Sequence, residues 1–311
     1  AGVLTLLSSA CNGSALPASP SPATGGGQAS SGAAAQPKVN RLVFTAGTPG
    51  RTDLDLRFLA EPYVWPWRAT YDDLVAVDAK TGKLAPGLAS SWAIEPDGTT
   101  FRVKLRDAEF HNGFGPVRAE DVKFGWEEVI KVDSIHGQQS YFQSIKGVEA
   151  VNDKEVLFRM AKPDGIFVTA ISEYQGGIEV RSKKSFEKQG TPNWQNGPLA
   201  GSGPYKYKEG AEGQFLRFER ANNNHWTGTP EFPEFEWRFA KEASTRLAAL
   251  LTGEAQMADL PSDLSAQAEK QGMKIIRGQF PGTRFWGSMR GMYVKDPNDP
   301  SQGFMYPDSP L

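Results

Sequence analysis

The chain has 311 residues, with 34 Lys and Arg against 36 Asp and Glu, and a formal net charge of −2. This near balance gives no basic surface of the kind that nucleic-acid binding needs, so nucleic acid is excluded as a partner. No apolar run approaches the ~20 residues of a membrane-spanning helix, and a single Cys can form neither an intrachain disulfide nor a Cys-based zinc site.

The chain begins with apolar and small residues that end at its single cysteine. Leucines and then Ser and Ala precede Cys11, as at the end of a signal peptide. The layout resembles a bacterial lipobox, although Ser8 stands where that pattern prefers Leu. We interpret residues 1–10 as a signal-peptide remnant and predict that Cys11 is lipidated. The alternative is a cysteine that occurs there by chance.

The next stretch has the composition of a flexible tether. Of the 27 residues in 12–38, 21 are Gly, Ala, Ser or Pro, and Asp and Glu are absent. Such a segment cannot bury enough apolar surface to offset its ordering entropy. Residues 11–39 are therefore predicted to be a lipidated Cys with a disordered linker, which holds a domain at a membrane surface.

Strands and hairpins follow from about Asn40 onward. Short apolar runs predict strands at 42–45 and 74–77. Alternating segments on either side of turn residues predict three hairpins. The paired segments are 91–94 with 99–105, 148–151 with 156–160, and 205–208 with 215–219.

Two regions favour helices. Val122, Trp126, Val129 and Ile130 share one helical face behind an acidic first turn. Later, a strand at 235–239, a helix at 244–251 and a strand at 256–260 form a strand–helix–strand unit, followed by a helix at 262–271. Such a unit predicts a parallel pair with a right-handed crossover. The mixture indicates an α/β fold with antiparallel parts.

Seven blocks of the chain, in order, are similar to one family signature. They are 71–75 (YDDLV), 84–92 (LAPGLASSW), 97–106 (DGTTFRVKLR), 110–113 (FHNG), 119–122 (AEDV), 201–205 (GSGPY) and 244–250 (STRLAAL) followed by Gly253 and Glu254. Together they resemble the family 5 extracellular solute-binding proteins, which are the oligopeptide-, dipeptide- and nickel-binding components of bacterial ABC importers. The resemblance covers about 42–278.

This resemblance implies the fold and its division into domains. The expected fold class is α/β, a periplasmic-binding-protein-like lobe with a mixed sheet and an inserted α+β subdomain, the second lobe being largely missing. Residues 40–62 and 200–278 are then lobe I and residues 63–199 its inserted subdomain. Residues 279–311 are expected to be the truncated start of lobe II.

The loop after the first strand is the first candidate ligand site. Ligands of open α/β sheets gather at the carboxyl ends of strands. In the family this loop contacts the ligand's main chain, so the resemblance assigns ligand binding to Thr45, Gly47 and Thr48. Less closely, it places Gln139 and Tyr141 beside the ligand.

An aromatic cluster is the second candidate. Its members are Tyr63, Trp65, Trp67 and Tyr71. Large rings with polar tips suit a binding cleft, but the same spacing also suits a packed core. We predict that Tyr63 and Trp65 line the cleft and leave the core alternative open.

The motifs of catalytic sites are absent from the sequence. It contains no His-Glu-x-x-His stretch, no Gly-x-Ser-x-Gly elbow and no phosphate-binding loop. The glycines around Ser202 fit a tight turn better than a nucleophile elbow. A metal contact at His111 is possible chemically, but a packed, hydrogen-bonded His at a turn is favoured. We therefore expect no catalytic residue, no metal and no cofactor.

The expected function is that of an extracytoplasmic, lipid-anchored and monomeric substrate-binding protein of an ABC importer. It would capture peptides or peptide-like solutes by lobe closure and deliver them to a membrane permease. The alternatives are a nickel-chelate, oligosaccharide or other small-solute binder of the same family, or a surface receptor without a transporter. An enzyme is a further and less favoured class.

Overall fold

The computed structural model describes residues 39–47, 54–58, 65–78, 80–136, 139–173, 179–221 and 225–276, and the backbone of 293–295 and 303–305. The signal-peptide remnant, Cys11 and the linker predicted above lie outside these residues. So does most of the segment predicted as the start of a second lobe.

Strands and helices are short, as expected for a mixed fold. The strands are β1 Arg41–Ala46, β2 Val75–Val77, β3 Leu84–Pro86, β4 Ala89–Ile94, β5 Thr100–Leu105, β6 Glu109–Phe110, β7 Gly115–Pro116, β8 Ile145–Asn152, β9 Glu155–Met160, β10 Tyr205–Ala211, β11 Phe215–Arg220, β12 Glu234–Phe239, β13 Met257–Ala258, β14 Tyr293–Lys295 and β15 Gly303–Met305. The α-helices are α1 Ala119–Val129, α2 Gln139–Phe142, α3 Phe167–Ala170, α4 Lys183–Gln189, α5 Ala243–Leu251 and α6 Ser262–Lys270. Three 3₁₀ turns span Leu56–Phe58, Trp65–Ala69 and His111–Gly113.

β1 lies inside a five-stranded mixed sheet with the order β10-β11-β12-β1-β13. It runs parallel to β12, with Leu42 opposite Phe235, and parallel to β13, with Phe44 opposite Met257. The two strands of the predicted strand–helix–strand unit are thus parallel, but β1 separates them. The apolar Leu-Val-Phe run of β1 suits this central position, because a parallel strand with neighbours on both sides is buried on both faces.

A four-stranded antiparallel sheet has the order β4-β5-β9-β8. The hairpins predicted at 91–105 and 148–160 are confirmed, since β4 pairs with β5 and β8 with β9. The predicted helix is confirmed as α1, which packs on β8 and β9. Its buried Val122 contributes to one apolar cluster with Val103 and Phe158 of the sheet.

The five-stranded sheet has an apolar cluster of its own. The predicted hairpin at 205–219 is confirmed here as β10 and β11. Trp67 and Tyr71 belong to this cluster and are only 2 % and 3 % exposed. The centroids of their two rings are 6.1 Å apart. The Trp67 ring also lies 5.9 Å from the ring of Phe218. For these two aromatic residues, the core alternative is therefore correct.

The segment 201–203 passes very close to the backbone of residues 69–70. A Cβ atom on Gly201 would lie 2.1 Å from the carbonyl oxygen of Thr70, and one on Gly203 would lie 2.7 Å from that of Ala69. Neither glycine has a positive φ. The turn predicted for these glycines is therefore the wrong reason for their presence: they are needed because the two backbones touch.

Candidate functional site

Three parallel strands, β12, β1 and β13, end at one edge of the five-stranded sheet. Beyond their last paired residues, Ala240 N–H donates to the carbonyl of Ala46 at 2.8 Å. Asp259 N–H donates to the carbonyl of Thr45 at 2.9 Å. Gly47 follows immediately after the paired ladder of β1. These hydrogen bonds hold the backbone at this edge as far as Gly47, which belongs to the predicted ligand loop.

Arg246 of α5 fastens this edge. Its Nε donates to the carbonyl of Asp259 at 2.7 Å, and its Nη1 donates to the carbonyls of Ala240 and Lys241 at 2.7 and 2.8 Å. The planar guanidinium directs several fixed donors at several acceptors at once, whereas lysine has one compact ammonium group. Arg246 thereby joins the segments after β12 and β13 beside Gly47, whose hypothetical Cβ would lie 3.7 Å from Nη1.

Arg246 was missed as a site residue in the sequence, where it counts only as part of a family block. The available signal was a single arginine in an otherwise uncharged helix. A buried arginine needs several acceptors, and strand ends supply carbonyls that lack ladder partners. The sequence could not show which carbonyls these were.

A buried polar cluster lies where residues 71–73 meet residues 179–181. Asp72 and Val180 form an antiparallel bridge, which places Asp73 opposite Glu179 on one face. Asp73 Oδ2 lies 3.6 Å from Arg68 Nη1. Glu179 Oε2 lies 3.8 Å from His136 Nε2. Each carboxyl group therefore has its own basic neighbour.

The pKa values of the two carboxyl groups move in opposite directions. Burial, and then the charge of Glu179, raise the pKa of Asp73 well above its usual value. Burial acts to raise the pKa of Glu179 as well, but the hydrogen bond and charge of His136 help to outweigh it, so this pKa is lowered. The pair thus keeps Glu179 ionised and favours a proton on Asp73.

This polar cluster adjoins segments that the sequence predicted to contact ligand. Trp65 belongs to the same 3₁₀ turn as Arg68, and Gln139 N–H donates to the carbonyl of His136 at 2.9 Å. Ile135 N–H donates at 2.9 Å to the carbonyl of Arg57, in the 3₁₀ turn that follows β1 in the chain. The cluster therefore borders two of those segments, and also the 3₁₀ turn at Leu56–Phe58.

Five predicted ligand residues have described side chains or backbone. Thr45 lies within β1 and not in the loop after it; it is buried, and its Oγ1 has no hydrogen-bond partner among the described residues. Gly47 lies at the sheet edge. Gln139 Nε2 donates to the carbonyl of Lys131 at 2.6 Å, and Tyr141 Oη donates to Asp164 Oδ2 at 2.6 Å. Thr48 and Tyr63 lie outside the described residues, and of Trp65 only the backbone is described.

Two buried histidines, His111 and His225, have structural partners. His111 Nε2 lies 2.8 Å from the carbonyl of Gly203, so this nitrogen carries the hydrogen, and burial lowers the pKa of the ring. His225 Nε2 lies 3.0 Å from Asp72 Oδ1. The favoured alternative for His111, a packed and hydrogen-bonded residue, is confirmed. Among the residues that the structure describes, no three His, Cys, Asp or Glu side chains are grouped to hold a metal.

None of the helices in the described ranges is both long and apolar enough to cross a membrane.

Comparisons with known proteins place this geometry in a family. The family model of the bacterial extracellular solute-binding proteins, family 5 Middle, matches residues 83–296. The chain is 30% identical over 210 residues to the probable ABC transporter periplasmic-binding protein SapA of Escherichia coli K12, covering 62% of this chain and 38% of that protein. It is 29% identical over 228 residues to probable di/tripeptide-binding protein 5 of Pseudomonas aeruginosa, covering 67% of this chain and 43% of the relative.

A solved structure agrees in fold. The periplasmic binding protein AgaA of Agrobacterium tumefaciens, in complex with agropinic acid, superposes with a TM-score of 0.65 and 24% identity over 74% of this chain and 46% of that one. This chain spans less than half the length of these three relatives. Because the family model covers more than half of the sequence, the chain belongs to the bacterial extracellular solute-binding proteins of family 5.

Proposed function

We propose that this chain is part of the extracytoplasmic substrate-binding component of an ABC importer and captures peptides or peptide-like solutes. The observation that carries the proposal is the family match over residues 83–296 in a chain whose three parallel strands end together at one edge. Ligands of open α/β sheets bind outside the carboxyl ends of strands. The named activity of the Pseudomonas relative favours di- and tripeptides among the solutes.

The sheet edge suits recognition of a peptide main chain. Arg246 and the hydrogen bonds of Ala240 and Asp259 hold the edge rigid up to Gly47. Gly47 has no side chain to keep a ligand away from its backbone. Main-chain hydrogen bonds bind extended peptides with little dependence on their sequence. We place Thr45, Gly47 and Thr48 at this contact, with Tyr63, Trp65, Gln139 and Tyr141 around it.

The remaining parts of the proposal concern the whole protein. Residues 40–62 and 200–278 would form one lobe and residues 63–199 its inserted subdomain. Closure of this lobe and a second lobe over the ligand would present a surface to a permease. Cys11 would carry a lipid that keeps the monomeric protein at the outer face of a membrane. The protein would bind its solute without catalysing a reaction.

Calorimetry with di- to pentapeptides tests the ligand class. We expect binding by the wild-type chain and at least a 10-fold loss in Gly47→Val, because the added side chain obstructs the backbone while its Cβ meets no atom closer than 3.7 Å. Gly165→Val is the matched control, since a Cβ there has open space and the position is far from the strand ends in sequence. Both variants should melt at the wild-type temperature.

A different ligand would show itself in the same material. A thermal-shift panel containing nickel chelates, oligosaccharides and peptides compares solute classes directly, because a bound ligand stabilises the folded chain. Stabilisation by one of the other solutes, without heat of binding for any peptide, would overturn the peptide assignment.

A further inference from the structure

Arg181 is a buried cation in the polar cluster where residues 71–73 meet residues 179–181. Its relative exposure is 2 %. Its Nε is buried and has no hydrogen-bond partner within the described part of the chain. A buried guanidinium without acceptors costs several kcal/mol. The nearby carboxyl groups do not remove this cost, since Glu179 is next to His136 and Asp73 is next to Arg68.

The position of Arg181 follows from the bridge between Asp72 and Val180. One residue beyond the bridge, Arg181 lies opposite Tyr71, on the same face as Asp73 and Glu179. The Tyr71 hydroxyl donates to the carbonyl of Leu199 at 2.8 Å, and the Nε of Arg181 has no acceptor among the described residues. Nε of Arg181 is therefore an unused donor in the polar cluster that adjoins the segments of Trp65 and Gln139.

Asp73 adds a second unused polar atom on this face. Its Oδ1 is buried and has no hydrogen-bond partner among the described residues, and the residue is 4 % exposed. A carboxyl group that holds a proton is a donor as well as an acceptor, and the raised pKa of Asp73 favours that form. Arg181 and Asp73 lie on one face of the bridge between Asp72 and Val180. A carboxylate accepts hydrogen bonds from a guanidinium and from a protonated carboxyl group.

We propose that Arg181 is an anion-recognising residue that binds a carboxylate of the captured solute. This inference rests on the proposed function and adds a substrate class to it, namely peptides or peptide-like solutes with a free carboxylate near this face. The carboxylate comes from a peptide's C-terminus or from an acidic side chain. Arg181 is thus a specificity-determining residue, and the solute supplies the acceptor that its Nε lacks among the described residues.

The test combines two variants with three peptides. Arg181→Met removes the charge at similar volume, and Arg181→Lys keeps the charge but loses the planar fork. Arg220→Met is the matched control, because the Nε of Arg220 is also buried without a partner while its Nη2 donates to the carbonyl of Glu231 at 2.7 Å. The probes are tri-alanine, tri-alanine amide and Ala-Asp-Ala amide, measured by calorimetry on the full chain.

We expect Arg181→Met to lose about 10- to 100-fold in affinity for the peptide whose carboxylate is recognised. It should bind tri-alanine amide like the wild type. A loss confined to tri-alanine identifies a C-terminal carboxylate, and a loss confined to Ala-Asp-Ala amide identifies an acidic side chain. The affinity of Arg181→Lys should lie between those of the wild type and Arg181→Met. Arg220→Met should bind all three peptides with wild-type affinity.

Melting without ligand gives a second, independent readout. Because Arg181 has no described partner to lose, Arg181→Met should melt at or above the wild-type temperature. Arg220→Met should melt lower, since it loses a hydrogen bond. A drop of several degrees in Arg181→Met would show that the arginine is a structural residue and would overturn the proposal.

The experiment distinguishes failure of the role assigned to Arg181 from failure of the proposed function. If the wild type binds the peptides and Arg181→Met binds them equally well, the role of Arg181 is wrong and the proposed function stands. If the wild type binds none of the three peptides, the peptide function fails, and the assignment of their carboxylate to Arg181 fails with it.

Discussion

Asp73 and Glu179 are two buried carboxyl groups that lie opposite each other, next to the bridge between Asp72 and Val180 and on one face of it. Like charges in this arrangement repel each other. Further charges face Asp73 from Arg68, Glu173 and Asp72. The structure resolves the conflict by pairing Glu179 with His136 and by raising the pKa of Asp73. The consequence is that the stability of the chain is linked to the protonation of Asp73.

We predict that Asp73→Asn flattens the dependence of stability on pH. With its pKa raised in the folded state, Asp73 holds a proton that the unfolded chain has already released between the two pKa values. The free energy of unfolding of the wild type therefore falls as pH rises through this interval, by up to about 1.4 kcal/mol per pH unit. Asn cannot titrate, so the variant should exceed the wild type in stability at pH 7. Urea unfolding at pH 4 to 8 measures both slopes.

Asp121→Asn is the comparison variant, because it removes a carboxyl group with a raised pKa together with its hydrogen bonds. Asp121 is also buried with a raised pKa, mainly because of burial, but its two oxygens accept hydrogen bonds from the N–H groups of Arg118 and Lys183 at 2.9 Å. An amide can keep only one of these acceptors, so this variant should lose roughly 1–2 kcal/mol at pH 7. A wild-type slope in Asp73→Asn would contradict the assignment of the titration to Asp73.

At the scale of elements, the segment at Gly201 and Gly203 shows how a short sequence motif serves packing. The segment joins β10 to the part of the chain around Leu199, whose carbonyl accepts the Tyr71 hydroxyl. Its backbone also receives His111, through the N–H of His111 to the carbonyl of Gly201 at 2.8 Å. Close contact with Thr70 is what allows these bonds to form together.

Gly201→Ala should be one of the most damaging single-methyl changes in this chain. The new Cβ would lie 2.1 Å from a backbone oxygen that no rotamer change can move. We expect a loss of about 3 kcal/mol or more in the free energy of unfolding, measured with urea. Gly147→Ala in β8 is the control, because a Cβ there meets nothing within 4 Å. Equal stability of the two variants would refute the close-approach argument.

At the scale of the whole molecule, the two apolar clusters are joined by buried polar bonds. Asp72 accepts a hydrogen bond from Ser202 Oγ at 2.7 Å and lies 3.0 Å from His225 Nε2. The described residues all belong to one compact unit. Buried polar groups lose solvation unless their partners stay in place, so these bonds couple one cluster to the other.

We predict that both clusters unfold in one transition. Phe158→Ala lies in the cluster of the four-stranded sheet, and Phe218→Ala lies in that of the five-stranded sheet. Each should lower the free energy of unfolding by about 3–5 kcal/mol and shift the midpoint of the same urea transition. Far-UV circular dichroism and tryptophan fluorescence should give coincident curves in both variants. Ile94→Ala, at a site 57 % exposed, should be near neutral. Separate transitions for the two probes would show independent clusters.

The sequence by itself determined the local elements and the family. The three hairpins and α1 could be predicted because alternation and helical spacing report which face of a short segment is buried. The ordered blocks from 71–75 to 244–250 indicated the family. The position of Gly47 after β1 also followed from the sequence, because a strand end is a local feature.

Only the tertiary structure decided which distant segments meet. The bridge between Asp72 and Val180, the position of β1 between β12 and β13, and the carbonyls held by Arg246 each join residues that no local pattern connects. Arg181 is the clearest case, since an arginine in a sequence is normally exposed and paired with water. Its burial, with no hydrogen-bond partner for Nε among the described residues, results from packing between distant segments. Periodicity shows that a segment is buried but not what packs against it.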